Sequence, residues 1–286
     1  MTSPAIGHVS ETARWVAVYR ALESARPDAL FHDELAAVLA GEQGRELARS
    51  GMLPLGARDH WPTVVRTRLL DDLILDTLAQ GCDRVINLAA GLDTRPFRLA
   101  LPAELRWYEV DLPESVAYKQ SRLAGRKAAC EWIARPLDVT DAAATADFLA
   151  EATAGARAPL VLTEGLLPYL RAPQVATLSG LLRAAGTRWW ALDHWSPAML
   201  RLVNLTMGSE LGSARWTFAA TLGSFRDWRV ETARSTFRAA ARWERSPLPL
   251  RGSALLPEVA PGPRLDRSLL WCGAVRMTPR GDGVAG

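Results

Sequence analysis

Three features of this sequence point to a doubly wound, mostly parallel α/β sheet. The run at 85–90 is short and apolar, the pattern of a strand buried on both faces. It breaks at Gly91 and Pro96 follows, so the strand gives way to a tight turn and then a helix, the ligand-binding corner of an open α/β sheet. Further short apolar runs then alternate with helix-length amphipathic stretches, as in a chain of strand–helix–strand units.

Taken in order, residues 1–10 carry no strong pattern. From 12 to 22 the spacing of Trp15, Val18, Tyr19 and Leu22 predicts a helix with these four on one side. A second helix is predicted over 33–39, stopped at Gly41. Both precede the first strand, so 1–60 is expected to form an N-terminal helical cap and 61–286 the sheet domain. Trp61-Pro62-Thr63 opens a longer helix with Leu69, Leu70, Leu73, Ile74 and Leu78 at helical spacing, ended by Gly81. Thr94 is a candidate cap for the helix that Pro96 opens.

The second strand, 105–110, ends at Asp111, and Pro113 opens the helix after it. A third strand over 131–137 leads into Asp138-Val139, followed by a helix over 141–153. Residues 159–163 read as the fourth strand, closed by Glu164-Gly165. Pro173 starts a helix carrying Leu178, Leu181 and Leu182, and Gly186 stops it. The fifth strand, 188–192, runs into Asp193-His194-Trp195. Two late strands at 228–231 and 269–275 complete a seven-stranded sheet. Residues 196–227 read as an insertion over the site, and 280–286 as a disordered tail.

Composition narrows the function classes. With 286 residues, 49% hydrophobic and 23% charged, the chain can bury a sizeable core. A net charge of +3 without a dense basic run argues against a nucleic-acid partner. No apolar run approaches spanning length, so no membrane partner is expected, and the polar start with Glu11 reads against a signal peptide. Cys82, Cys130 and Cys272 are scattered and odd in number; they give no metal-ligand spacing and point to a reducing cytoplasm. No feature sets an oligomeric state.

A dinucleotide is usually held by a loop richer in glycine than this one. Here the first and third glycines of that fingerprint are missing, and Asp93 places a carboxylate where it would repel a pyrophosphate. A ligand with no phosphate and a positive centre, such as S-adenosyl-L-methionine, tolerates that charge. Asp111 lies 20 residues past Gly91, where such folds place an acid against the ribose hydroxyls.

Several motifs then fall in one order: Val65-Arg66-Thr67-Arg68 with Asp71-Asp72, Asn87 to Arg95, Tyr108-Glu109-Val110-Asp111-Leu112-Pro113, Leu137-Asp138-Val139, and Thr163-Glu164-Gly165 to Leu170. Together they resemble the leucine carboxyl methyltransferase-like family of class I S-adenosylmethionine-dependent methyltransferases, a Rossmann-like fold. Arg20 to Ser24 and Leu30 to Asp33 look like its bacterial branch. The resemblance covers about residues 12–195. It implies that Arg66 holds the methionine carboxylate, that Ala89 and Gly91 border the methionine moiety, that Asp111 with Leu112 meets the ribose, that Asp138 and Val139 read adenine, and that Glu164 lies near the sulfonium or amino group. Ala89 departs from the commoner Gly-Ala-Gly.

Other roles stay open at this point. Arg68 competes with Arg66 for the carboxylate. Asp111 and Asp138 could cap helices. Arg20 could reach the cofactor carboxylate or pair with Glu23. Trp15, Tyr19 and Trp61 could be core or substrate contacts. His60 and His194 are candidate bases, with packed loop histidines as the alternative, and Tyr169 is a candidate for the acceptor pocket. The expected activity is O-methylation of a carboxylate or hydroxyl on a small molecule, such as a polyketide-like aromatic metabolite. The alternatives are methylation of a protein C-terminal leucine carboxylate, a non-catalytic nucleotide-binding module, and a dinucleotide-dependent oxidoreductase, which Asp93 and the missing glycines disfavour.

Overall fold

The computed structural model of the chain describes residues 9–49, 61–211, 221–247, 252, 255 and 269–281. Seven strands form one sheet in the order β3-β2-β1-β4-β5-β7-β6. β1 (Arg84–Leu88), β2 (Arg106–Asp111), β3 (Glu131–Pro136), β4 (Pro159–Thr163) and β5 (Trp189–Trp195) pair in parallel. β7 (Cys272–Pro279) runs antiparallel to both β5 and β6 (Trp228–Ser235). Strand order reverses between β1 and β4, so the loops at their carboxyl ends open a crevice there.

Alternation along the strands divides the core into two layers. Val85, Trp107, Leu160, Leu162, Trp189 and Ala191 pack under α3 (Trp61–Ala79) and α9 (Thr236–Arg242). Ile86, Val110, Val161, Trp190, Leu192 and Val275 pack on the other face with α6 (Ala142–Thr153) and α7 (Ala172–Ala184). Both faces are apolar because helices cover both, which is why β1 and β4 read as unbroken apolar runs. α1 (Val9–Ser24) and α2 (Ala36–Arg49) form a third cluster with Leu92 and Leu123, at the end of the sheet where the crevice opens.

Several expectations are corrected. On α1 the inward residues are Ala17, Val18, Tyr19, Arg20 and Glu23, while Leu22 is exposed. The second helix does not end at Gly41. It breaks there, at φ 66°, and resumes to Arg49; Tyr118 Oη lies 3.0 Å from where a Cβ would stand. Thr94 precedes α4 (Arg95–Arg98) without capping it, because its hydroxyl donates to Asp33 Oδ2 at 2.6 Å. β7 begins at Cys272 rather than 269, and Leu269 and Leu270 are exposed. α9 had no clear signal, being short and alanine-rich. Of the stretch read as an insertion, 197–211 form the helix α8 (Pro197–Leu211). Residues 212–220, His60 and 282–286 lie outside the described residues.

Candidate active site

β1 ends at Leu88, two residues before the apolar run does, because the backbone turns left-handed at Ala89 (φ 55°) and again at Gly91 (φ 50°). This turn aims the Gly91 amide at Asp111, whose Oδ2 accepts from it at 2.6 Å. Asp111 Oδ1 accepts from Leu112 N at 2.8 Å, so the carboxylate sits at the end of β2 with its remaining lone pairs toward the crevice. Asp138 Oδ1 accepts from the amide and hydroxyl of Thr140, and the cap of α6 is Asp141, which accepts from Ala143 N and Ala144 N. Asp138 is therefore not the helix cap.

These loops enclose one cavity of about 660 Å³. Its polar end is bordered by Ala89, Gly91, Asp111, Leu112, Asp138 and Val139. Its other end is bordered by Trp61, Tyr169, Trp195, Met199, Val203 and Phe237, drawn from α3, the turn after β4, β5, α8 and α9. Trp15, Tyr19 and Arg20 of α1 also line it, and Ala13 Cβ lies 3.4 Å from where a Cβ on Gly91 would be. α1 thus covers the β1 turn. Trp15, Tyr19 and Trp61 serve as core and wall at once.

Arg20, Arg66, Asp93, Glu164 and Asp193 of the cavity wall belong to a network of charge that continues beneath it. Arg66 donates from Nε to Glu164 Oε1 at 3.0 Å and from Nη1 to Asp193 Oδ2 at 3.2 Å. Arg95 donates from Nη1 to Glu164 Oε2 at 2.7 Å and to Asp93 Oδ2 at 2.9 Å, and from Nε to Asp71 Oδ1 at 2.6 Å. Arg98 pairs with Asp71 at 2.6 Å, and Arg20 with Asp33 at 3.0 Å. Four guanidinium groups thus face five carboxylates, Asp33, Asp71, Asp93, Glu164 and Asp193, leaving a net charge of −1.

The pKa shifts follow from that packing. Burial raises the Asp93 carboxyl, but Arg95, Lys119 and Arg98 outweigh it and hold the group well below the usual carboxylate range. Burial likewise raises Glu164, and Arg95 with Arg66 brings it below its ordinary value. Burial would lower Arg66, and Glu164 and Asp193 raise it instead. Cys272 also borders the cavity, and burial pushes its thiol up to about 12, so it is no thiolate nucleophile at neutral pH.

Asp93 therefore does not act as the sequence suggested. Its carboxylate is buried, bonded by Asn87 Nδ2 at 2.8 Å and neutralised by Arg95, so it presents no bare charge to a pyrophosphate. Arg66 borders the cavity, whereas Arg68 is tied to Asp72 at 2.9 Å and to Leu30 O. Arg20 does not pair with Glu23; it binds Asp33 and donates to Leu92 O at 2.5 Å, and Glu23 pairs with Arg245 at 2.9 Å.

His194 is the clearest correction. Asp193 and Trp195 border the cavity, and His194 between them does not. Strand alternation turns it to the opposite face of β5, where it packs 5.8 Å from the Trp271 ring. Among the described residues no histidine lines the cavity. Sequence reasoning gave Asp193 and Arg95 no role, although Arg95 closes the Asn87 to Arg95 motif and Asp193 stands directly after the predicted fifth strand. Asp193 shares a strand face with Ala191, which packs under α3, the helix that carries Arg66. That parity was the available signal.

Residues 13–182 match the sequence pattern of leucine carboxyl methyltransferases. The chain belongs to this family. A relative from Frankia alni, named as a proposed S-adenosyl-L-methionine-dependent methyltransferase, is 37% identical over 64% of this chain and 70% of its own length. One of the same name from Streptomyces coelicolor is 36% identical over 74% of each chain. Among solved structures, a proposed methyltransferase from Thermobifida fusca superposes with a TM-score of 0.59 at 14% identity, covering 98% of this chain and 96% of that one. At that identity the likeness concerns the fold alone. The family match stops at 182, so β5, α8, β6, α9 and β7 lie outside it, and with them Asp193 and much of the apolar end of the cavity.

Proposed function

We propose that this chain is an O-methyltransferase that transfers a methyl group from S-adenosyl-L-methionine to a carboxylate or hydroxyl of an apolar small molecule. Methyl transfer with S-adenosylmethionine follows from the family and the relatives; the acceptor oxygen is our reading. The observation that carries it is the cavity lining, with hydrogen-bonding loops at one end, an aromatic, apolar wall at the other, and beside them a buried network of net charge −1. A polyketide-like aromatic metabolite fits that wall by chemistry.

The residues present suit the cofactor. Its sulfonium and ammonium outweigh its carboxylate by one positive charge, complementing the −1 of the buried network. When bound it supplies a methyl group already activated for in-line displacement, so the protein's work is positioning and exclusion of water. Arg66 would take the methionine carboxylate through Nη2, since Nε and Nη1 are held by Glu164 and Asp193. Ala89 and Gly91 bring backbone close to that moiety. Asp111, beside Leu112, would accept from the ribose hydroxyls, Asp138 and Val139 would meet adenine, and Glu164 adds negative potential near the cationic end.

On the acceptor side Tyr169 borders the cavity. His194 faces away from the cavity, which supports a carboxylate acceptor, ionised at neutral pH and needing no base. We read 1–60 as a cap over a methyltransferase domain spanning 61–286, with 196–227 as a segment over the acceptor end; the six α1 residues and the α8 side chains in the cavity wall support this. The enzyme is read as cytoplasmic, with a small molecule as its partner.

The test is transfer of labelled methyl from S-adenosylmethionine into two panels, apolar aromatic acids and phenols, and peptides ending in leucine. Label in the first panel supports the proposal. Label in the peptides alone sinks it in favour of protein carboxyl methylation, and calorimetric binding of cofactor with no transfer to either panel points to a non-catalytic module.

A further inference from the structure

A second concavity lies at the other pole of the sheet. It is an open depression of about 760 Å³ at the amino-terminal ends of β4 and β5. Arg157 precedes β4, Arg183 lies on the last turn of α7, Arg188 stands directly before β5, and Arg229 is in β6. Four guanidinium groups thus face a wall with one carboxylate, Glu231, which Arg276 already holds at 2.8 Å. The wall's balance of +3 equals the net charge of the whole 286-residue chain. Asp83, outside the wall, shares Arg157 at 3.5 Å.

The arginines are oriented by their surroundings. Arg188 lies 4.7 Å over the ring of Trp189, Arg229 donates to Thr278 Oγ1 at 3.4 Å, and Arg183 donates to Arg280 O at 3.0 Å. A guanidinium stacked on one face, as Arg188 is on Trp189, or anchored through one nitrogen, as Arg229 is at Thr278, keeps its other edge for a bidentate partner. A second observation is independent of this charge. Thr187, between Arg183 and Arg188, borders the depression and is 1% exposed, yet its hydroxyl has no hydrogen-bond partner. Native interiors seldom leave such a group unsatisfied, and a ligand oxygen is one way to satisfy it.

We propose that this depression is a binding site for a phosphate-bearing small anion, gripped by Arg188 and Arg229 with the Thr187 hydroxyl beneath. Phosphate oxygens match guanidinium geometry and carry enough charge to use several arginines at once. The chemistry is shared by a free polyphosphate and a nucleoside triphosphate. The site is separate from the methyl-transfer cavity: β5 begins at Trp189 in the depression and reaches the cavity at Asp193 and Trp195.

Calorimetric titration of the full chain with inorganic tripolyphosphate, ATP and citrate tests this. Tripolyphosphate is expected to bind, at least tenfold more tightly than citrate, with affinity falling as salt rises. ATP binding tenfold tighter than tripolyphosphate would identify a nucleotide as the source; equal binding would identify the phosphate chain itself; both support the site. The double variant Arg188→Gln/Arg229→Gln, both positions exposed, should lose at least tenfold in affinity with its melting temperature unchanged. Thr187→Val should lose threefold or more, and Thr187→Ser should retain affinity. Saturation with S-adenosylhomocysteine should leave the titration unaltered. Absence of binding at millimolar probe, citrate binding as tight as tripolyphosphate, undiminished affinity in the double variant, or displacement by S-adenosylhomocysteine would each overturn the proposal.

Discussion

Replacing Arg95 by methionine removes the cation at the centre of the buried network while nearly conserving volume. Arg95 is 2% exposed and serves Asp71, Asp93 and Glu164 together. Asp71 keeps Arg98 at 2.6 Å, and Glu164 keeps Arg66 at 3.0 Å. Asp93 keeps Asn87 and the residue 95 amide but no guanidinium within ion-pair distance. One carboxylate is thus left buried without its counter-ion, so the cost is that of breaking one buried pair, about 3–5 kcal/mol. At roughly 2.1 cal/mol/K of unfolding entropy per residue, a chain of 286 residues loses about 0.6 kcal/mol for each degree, and the expected fall in melting temperature is about 5–8 °C near pH 7.

The pH dependence has a definite sign. In the wild type Asp93 and Glu164 titrate below their unfolded values of about 4, so their contribution is present above that pH and is lost as the pH falls through the folded values. In the variant, burial without Arg95 raises Asp93 instead, and protonation on mild acidification relieves the strain. The gap between the two proteins should therefore narrow from about pH 7 to about pH 4.5. Thermal melts by circular dichroism at both pH values measure it, with Arg95→Lys expected to recover part of the loss. A fall under about 2 °C at pH 7, or the same gap at both pH values, would refute the assignment of Arg95 as the counter-ion of Asp93.

Four further outcomes are expected. Ala89→Gly should raise the melting temperature by up to about 2 °C, because a left-handed residue with a Cβ costs about 1–2 kcal/mol and the added chain freedom of glycine offsets only part of that; a fall would show the alanine is not strained. Asp111→Ala should weaken S-adenosylmethionine binding by about 1–3 kcal/mol, roughly 5- to 150-fold in Kd by calorimetry, and unchanged affinity in a folded variant would remove Asp111 from the site. Arg66→Lys should weaken it at least about tenfold, since the three N–H groups of an ammonium radiate from one nitrogen and cannot span the separate positions at which Nε meets Glu164, Nη1 meets Asp193 and Nη2 remains, while Arg68→Lys should bind normally; the reverse result would shift the site along α3. With a carboxylate acceptor, single-turnover rates should stay level from about pH 6 to 9 and survive His194→Gln and His60→Gln, whereas a histidine base would impose a fall below about 6.5 and a loss of roughly 10²–10⁴ in the matching variant.

Much of the fold was legible because its signals are local. β1 and β4 are apolar runs bounded by turn residues, and both lie where the pattern put them, β1 shortened by two residues at Ala89. Glycines at 81, 91, 165 and 186 mark left-handed turns that end helices or strands. The short, alanine-rich α9 had no periodicity to read, and its Phe237 could not be linked to Trp61, whose ring it meets at 5.6 Å.

The succession of strands and helices, the family, the cofactor class and the loops that border the polar end of the cavity could all be read from the order of residues. Each of these depends on residues close together in the chain or on motifs in a fixed order. The pairing of the charges emerges only in the folded chain. Arg66 meets Glu164 across 98 positions and Asp193 across 127. Asp93 is neutralised by an arginine two residues on only because α4 turns that side chain inward, and Asp193 rather than His194 faces the cavity because of its parity on β5. Such contacts depend on strand register and helix orientation, which the packing of the two apolar layers sets, and ionic partners are chosen by that geometry rather than by their spacing along the chain.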